Sequence, residues 1–195
     1  MPDYFDCPQS ILVRIGPLRS ISTGLIPQMK KISYLAALLL IFAAAASTQL
    51  AAAPVAELGE PAPALKGTLF SGKAFDLTQM RGKVVLVNFY SSYCSFCAYE
   101  IGNLENFYEQ HRDQGFEVIV VGIDSMEDRH RVERMLGIYG LPGVMADDLE
   151  QSGFERKYPT PTAFVIDRDG IVRSRTRGAK QPYYYAEKVL PLLQQ

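Results

Sequence analysis

A continuous run of β-branched and aromatic residues, KVVLVNFY at positions 83–90, constrains the fold of this chain more than any other segment. Gly82 precedes the run, and its first polar side chain after Lys83 is that of Asn88. Such a run is typical of a central strand that is buried on both faces, because helices cover both faces of a parallel α/β sheet. The sequence therefore predicts a layered α/β domain around this strand.

Two cysteines, Cys94 and Cys97, follow the strand directly and lead into a predicted helix, CAYEIGNLENFYEQHRDQG, that ends at Gly115. Cys94 then lies at the start of the helix, where unpaired backbone N–H groups and the helix dipole stabilise a thiolate. Cys97 lies one turn further on, within reach of a mixed disulfide formed by Cys94. This spacing favours a two-step exchange in which Cys94 attacks and Cys97 resolves.

Two other interpretations of the cysteine pair remain. A structural zinc site needs four ligands, and the two histidines, His111 and His130, do not have zinc-finger spacing relative to the cysteines. A purely structural disulfide would close so short a loop that its chain-entropy contribution is small. The sequence favours the redox pair over both.

The first third of the chain reads differently from the remainder. Lys30 and Lys31 precede an uncharged apolar stretch at residues 32–56, which contains small residues at 51–53. A basic segment, an apolar segment and small residues in this order are typical of a secretory signal peptide. We therefore predict that residues 29–53 form a signal peptide.

Met29 is the predicted start of the protein, so that residues 1–28 are an extension absent from the mature chain. Cleavage after Ala53 leaves a single domain at residues 54–195, which is long enough for one well-buried core. The alternative is an uncleaved membrane anchor at residues 32–53, because the stretch is long enough to cross the roughly 30 Å apolar core of a bilayer.

Composition excludes some classes of partner. The chain has 20 basic and 21 acidic side chains with no basic stripe, so we expect no nucleic-acid partner. Cys7 lies in the extension, and the exported part keeps only the close-spaced pair. An exported chain with these two thiols alone indicates disulfide chemistry.

The remaining segments predict a mixed sheet flanked by helices. In chain order they are an N-terminal hairpin (LFSGKAFDL), a buried strand (FEVIVVGID), an amphipathic helix (MEDRHRVERMLGIYG), a weaker helical segment (DLEQSGFERKY), an antiparallel hairpin (TAFVID and IVRSRTR), and a C-terminal helix (YYYAEKVLPLLQ). Pro191 should kink or shorten the last helix.

Three ordered segments resemble the thioredoxin-like family, and within it the exported TlpA/ResA type of thiol-disulfide oxidoreductase. They are the lead-in GEPAPALKG, the strand and cysteine motif GKVVLVNFYSSYCSFCAYE, and the loop TPTAFVIDRDG. The resemblance extends over residues 57–193. It implies a thioredoxin fold with a mixed central β-sheet flanked by helices, an N-terminal β-hairpin, and a central strand-helix insert at residues 125–139.

The resemblance also implies a set of site residues. The Thr160–Pro161 bond should be cis, which would leave the backbone of Thr160 free to pair with a substrate strand beside Cys94. Tyr93, where the family usually has Trp, should also contact substrate. Glu100 should tune both thiols and accept the proton of Cys97, although an ordinary Glu that complements the helix dipole is the alternative.

The function that the resemblance implies is an exported, monomeric enzyme that exchanges disulfides with protein substrates. It would act as a reductant, with cytochrome c maturation as a role and a membrane thiol-transfer protein as electron donor, and it would need no cofactor or metal. Two other classes stay open. A peroxiredoxin-like peroxidase would use Ser91 but would want Pro where Asn88 stands, and a copper-binding assembly factor would need His or Met near the cysteines.

Overall fold

The structure is a computed structural model, and it describes residues 56–155 and 158–195. The predicted extension (1–28) and signal peptide (29–53) lie outside the described residues. The strands are β1 Leu65–Thr68, β2 Ala74–Asp76, β3 Val84–Tyr90, β4 Phe116–Gly122, β5 Gly143–Met145, β6 Leu149–Ser152, β7 Thr162–Ile166 and β8 Val172–Arg177. The α-helices are α1 Ser95–His111, α2 Arg129–Ile138, α3 Pro182–Lys188 and α4 Leu190–Leu193.

The central sheet has five strands in the order β5-β4-β3-β7-β8. Strands β3, β4 and β5 run parallel, and β7 and β8 continue the sheet antiparallel. All seven residues of β3 are buried, which confirms the predicted central strand and the mixed sheet. Val84, Leu86 and Tyr90 pack into the core beneath α1 and α3, whereas Val85, Val87 and Phe89 pack into a second core on the other face.

The predicted N-terminal hairpin is confirmed as β1 and β2, which pair antiparallel and turn at Gly72 with a φ of 82°. The weaker helical segment predicted for DLEQSGFERKY, residues 148–158, is wrong. Leu149–Ser152 forms strand β6, which pairs with the free edge of β1 and completes a three-stranded sheet. Gly67 permits the close approach of β6, because a Cβ there would lie only 3.3 Å from the Leu149 side chain. Edge pairing thus overrides the weak helical pattern.

The insert between β4 and β7 contains the predicted amphipathic helix α2, whose Val132 and Leu136 are buried. It also contains a short strand, β5, which follows the helix and lies beyond the predicted bounds of the strand-helix insert at 125–139. Helix α1 ends at His111, and a 3₁₀ turn carries the chain to Gly115, whose φ of 87° closes it.

The C-terminal helix is divided at Val189, between α3 and α4. This confirms the expected effect of Pro191, which has no N–H to donate to the preceding turn. Among the residues that the structure describes, no helix has the length and apolar character needed to cross a membrane.

Candidate active site

Cys94 and Cys97 lie at the first turn of α1, as predicted. Cys94 is the N-cap residue, and its Sγ accepts a hydrogen bond from the Cys97 backbone N–H at 3.2 Å. Both cysteines are free thiols; Cys94 is partly exposed, whereas Cys97 is 1% exposed. An incoming disulfide can therefore reach the Cys94 sulfur, whereas the Cys97 sulfur is shielded from solvent.

The Cys97 thiol does not ionise readily at neutral pH. Burial, and then its hydrogen bond with Cys94, raise the pKa of Cys97 to about 12. Only a thiolate attacks a disulfide efficiently, so Cys97 needs a nearby proton acceptor at the moment of reaction.

The turn before Cys94 is held by a carboxylate that the sequence did not identify. Asp124 follows β4, which runs parallel to β3, so the two strands end at the same edge of the sheet. Asp124 accepts hydrogen bonds from Ser92 N at 3.0 Å, Ser92 Oγ at 2.9 Å and Ser91 Oγ at 3.2 Å. The available signal was an acidic residue two positions beyond a buried parallel strand.

Tyr93 lies at the surface, 64% exposed, immediately before Cys94. Its hydroxyl donates to Asp128 Oδ1 at 2.8 Å, and the Arg131 guanidinium lies 4.6 Å from its ring centroid. A cation over an aromatic ring is attractive, so the insert helix α2 helps to fix Tyr93 beside the cysteine turn.

The predicted cis peptide bond is confirmed at Thr160–Pro161. The loop lies against the first cysteine: Cys94 Sγ is 3.6 Å from the Thr160 carbonyl oxygen, to which the thiol donates. The backbone of Thr160 was expected to be free for substrate, and its carbonyl is instead engaged while Cys94 is a thiol. A disulfide sulfur carries no hydrogen, so the carbonyl becomes free once Cys94 is bonded to another sulfur.

Glu100 faces the interior, with 1% of its surface exposed. Its carboxylate accepts hydrogen bonds from Asn88 Nδ2 at 3.2 Å and from the backbone N–H of Lys180 at 3.2 Å. Glu100 is therefore a buried carboxylate with specific donors and not an exposed side chain. Burial raises the pKa of Glu100, whereas the charge and hydrogen bonds of Lys180 oppose the rise.

Lys180 is the buried partner of Glu100, and sequence reasoning missed it because a lysine in the loop GAKQP is expected to be exposed. Lys180 is 2% exposed, and its Nζ lies 3.3 Å from each carboxylate oxygen of Glu100. Asn88 of β3 and Tyr185 of α3 complete a polar pocket behind Cys97; the Asn88 Oδ1 and the Tyr185 hydroxyl have no hydrogen-bond partner among the described residues.

The described residues contain no group of three or more His, Cys, Asp or Glu side chains arranged to hold a metal ion. A zinc or copper site at the cysteines would therefore need ligands from elsewhere. Asn88, where a peroxidase would want proline, uses its amide to hold Glu100.

Comparison with known proteins gives consistent matches. The family described as Redoxin matches residues 57–190. The thiol-disulfide oxidoreductase ResA of Bacillus thuringiensis (strain Al Hakam) is 31% identical over 140 residues, which cover 69% of this chain and 80% of the relative. ResA of Bacillus subtilis (strain 168) is 30% identical over 104 residues, covering 52% of this chain and 57% of the relative.

Solved structures share the fold. A thiol:disulfide interchange protein of the thioredoxin family from Chlorobium tepidum TLS superposes with a TM-score of 0.59 at 23% identity, covering 70% of this chain and 98% of the other. A secreted disulfide oxidoreductase from Mycobacterium tuberculosis gives a TM-score of 0.55 at 18% identity, covering 65% and 95%. These likenesses confirm the predicted thioredoxin-like fold.

Proposed function

Because the chain belongs to the redoxin family and is similar to ResA thiol-disulfide oxidoreductases, we propose that Cys94 and Cys97 are its redox-active pair. The chain is a protein-disulfide oxidoreductase of thioredoxin fold. Cys94 is the nucleophile and Cys97 is the resolving thiol. The observation that carries these two roles is the contrast between a partly exposed Cys94 at the helix start and a buried Cys97 behind it.

Glu100 is the proton acceptor for Cys97. The two residues are three apart on α1 and so are neighbours on the helix surface. Glu100 is the carboxylate of the polar pocket behind Cys97, and a positioned base of this kind contributes about 10²- to 10⁴-fold to a rate.

The substrate is a polypeptide with a disulfide, and it lies over the exposed side of the cysteine turn. Tyr93, Phe96 and Tyr99 are 64%, 69% and 57% exposed and form an apolar rim there. Beside Phe96 and Tyr99 is a cleft of about 580 Å³ that extends to Gln181. Thr160 supplies a backbone carbonyl for substrate pairing after Cys94 has reacted.

The chain acts as a reductant of exported proteins, with cytochrome c maturation as its pathway and a membrane thiol-transfer protein as its electron donor. The similarity to ResA proteins supports thiol-disulfide chemistry, and the reducing direction is what the TlpA/ResA resemblance implies. Residues 29–53 direct export as a signal peptide, residues 1–28 are absent from the mature protein, and the domain at 54–195 works as a monomer in the periplasm or another extracytoplasmic space.

The test is a trapping experiment paired with a redox titration. Cys97→Ser should accumulate substrates as mixed disulfides on Cys94, whereas Cys94→Ser should trap none; equal trapping by both variants would overturn the assignment. A potential near the roughly −270 mV of thioredoxin supports the reductant role, and one near −120 mV indicates an oxidant.

A further inference from the structure

A buried ion pair joins the loop before α3 to the cysteine helix. The side chains of Lys180 and Glu100 are each 1% exposed, and the Lys180 backbone N–H adds a hydrogen bond to the same carboxylate. Burying two charges costs several kcal/mol per ion, and replacing such a pair by apolar residues is often neutral or stabilising. Stability alone therefore does not account for a buried lysine at this position.

The surroundings of the pair point to the reaction instead. From α1, Cys97 and Cys94 lie close enough for their thiolates to interact electrostatically with the Lys180 ammonium. From β3, Asn88 donates to Glu100, and Tyr90 lies next to both cysteines.

From α3, Tyr185 is buried and faces the charge of Glu100. Asn103 of α1 donates its Nδ2 to the Lys180 carbonyl at 3.3 Å, so polar groups from α1, β3 and α3 all face Lys180.

We propose that Lys180 is a positioning residue for the resolving step: it keeps the Glu100 carboxylate ionised and oriented so that it can accept the proton of Cys97. The proposal rests on the role of Cys97 as resolving thiol. Without the charge of Lys180, burial would raise the pKa of Glu100 further and favour its protonated form. A protonated Glu100 could accept nothing from Cys97.

The step begins with Cys94 bonded to a substrate sulfur. The Cys97 thiol gives its proton to Glu100, and the Cys97 sulfur then attacks the Cys94 sulfur. The Cys94–Cys97 bond forms as the bond from Cys94 to the substrate breaks, and the departing thiolate takes the electron pair and then a proton. The two cysteines are oxidised by two electrons, and the substrate disulfide is reduced by the same two.

The dye disulfide 5,5′-dithiobis(2-nitrobenzoate) separates the two steps in full-length protein that carries Cys7→Ser as a common background, so that Cys94 and Cys97 are the two thiols left to react. Attack by Cys94 releases the first equivalent of thionitrobenzoate, and resolution by Cys97 releases the second. With Lys180→Met we expect the first release to stay within about threefold of wild type. The second should slow at least about tenfold at neutral pH, with its pH profile moved to higher pH. Lys188→Met, which removes an exposed lysine paired with Glu187, is the matched control and should change neither release.

The double variant Glu100→Gln with Lys180→Met keeps the test valid if the single lysine variant does not fold, because it leaves no charge unpaired in the pocket. Since Lys180 acts through Glu100, the double variant should release the second equivalent at the rate of Glu100→Gln alone. The proposal is overturned if the double variant releases the second equivalent more slowly than Glu100→Gln alone. It is also overturned if Lys180→Met folds and shows the wild-type rate and pH profile for the second release. If the wild-type protein releases no second equivalent, the resolving role of Cys97 itself is refuted, and this outcome is distinct from a failure of the Lys180 proposal.

Discussion

Asp124 should be the residue whose loss most loosens the cysteine turn. Its half-buried carboxylate receives three donors: the backbone N–H of Ser92 and the hydroxyls of Ser92 and Ser91. The turn continues from Ser91 to Cys94, whose backbone N–H donates to the Ser91 carbonyl at 3.2 Å. The substitution Asp124→Ala removes all three acceptor contacts at once.

The magnitude follows from these contacts. Hydrogen bonds to a charged group contribute about 1.5 to 3 kcal/mol each. Water can replace part of this at a half-buried site, so we expect the free energy of unfolding to fall by about 2 to 3 kcal/mol. Cys94 would also be held less firmly against Thr160, and we expect its first release of thionitrobenzoate to slow about tenfold, below the roughly 100-fold that a 1 Å misplacement can cost.

Denaturant unfolding and stopped-flow release of the first equivalent measure the two effects. Asp113→Ala removes the same charge from an exposed 3₁₀ turn after α1, so it should shift stability by less than about 0.5 kcal/mol and leave the rate unchanged. The substitution Asp124→Asn, which keeps one acceptor oxygen, should fall between the two. If Asp124→Ala matched the Asp113 control in both stability and rate, Asp124 would not hold the turn.

Three further predictions concern other parts of the chain. Glu100→Gln should slow resolution, because the buried amide cannot accept the proton of Cys97; an unchanged rate of disulfide exchange would deny Glu100 any role. Burial opposes ionisation of Asp167, but hydrogen bonds from backbone N–H groups and from Arg173 outweigh it and lower the pKa of Asp167 below the ordinary 3.8. The ionised carboxylate therefore stabilises the folded protein above that pH, and this stabilisation is lost as pH falls through the lowered pKa. Asp167→Asn should therefore be less stable than wild type at neutral pH and converge with it in acid, and a constant difference across a pH series of denaturant melts would refute the shift. N-terminal sequencing of the exported protein should begin at Pro54 or within a few residues, whereas a membrane-bound chain that keeps residues 32–53 would establish the anchor.

The sequence predicted the elements whose signal is local and strong. The seven residues of β3 read as a strand because no polar residue interrupts the run before Asn88, and the cysteines had to follow at its carboxyl end. The cis bond at Thr160–Pro161 came from resemblance, since composition alone does not distinguish it. Strand β6 was missed because its pairing is with β1, more than 80 residues earlier, and no local pattern records a distant partner.

The charged pocket was only half predictable, for a related reason. Glu100 was identified from the resemblance and from its spacing after Cys97 on one helix, a relation that helical geometry fixes locally. Lys180 lies 80 residues further on, and it reaches Glu100 only because β8 and α3 return the chain to the same side of the sheet. A lysine beside Gly178 and Ala179 has no sequence feature that marks it as buried.

The topology explains why the functional groups converge. Strand β7 runs antiparallel to β3, and Phe89 pairs with Thr162, so the start of β7 and its cis-proline loop lie at the carboxyl end of β3 beside Cys94. Alternation along β3 places Tyr90 in the core beneath α1, and Asn88 is on the same face, two residues earlier, where its amide reaches Glu100. The polar residue that interrupts the apolar run of β3 is thus the one that faces the cysteine helix, and the strand that most constrains the fold also positions the carboxylate proposed to serve Cys97.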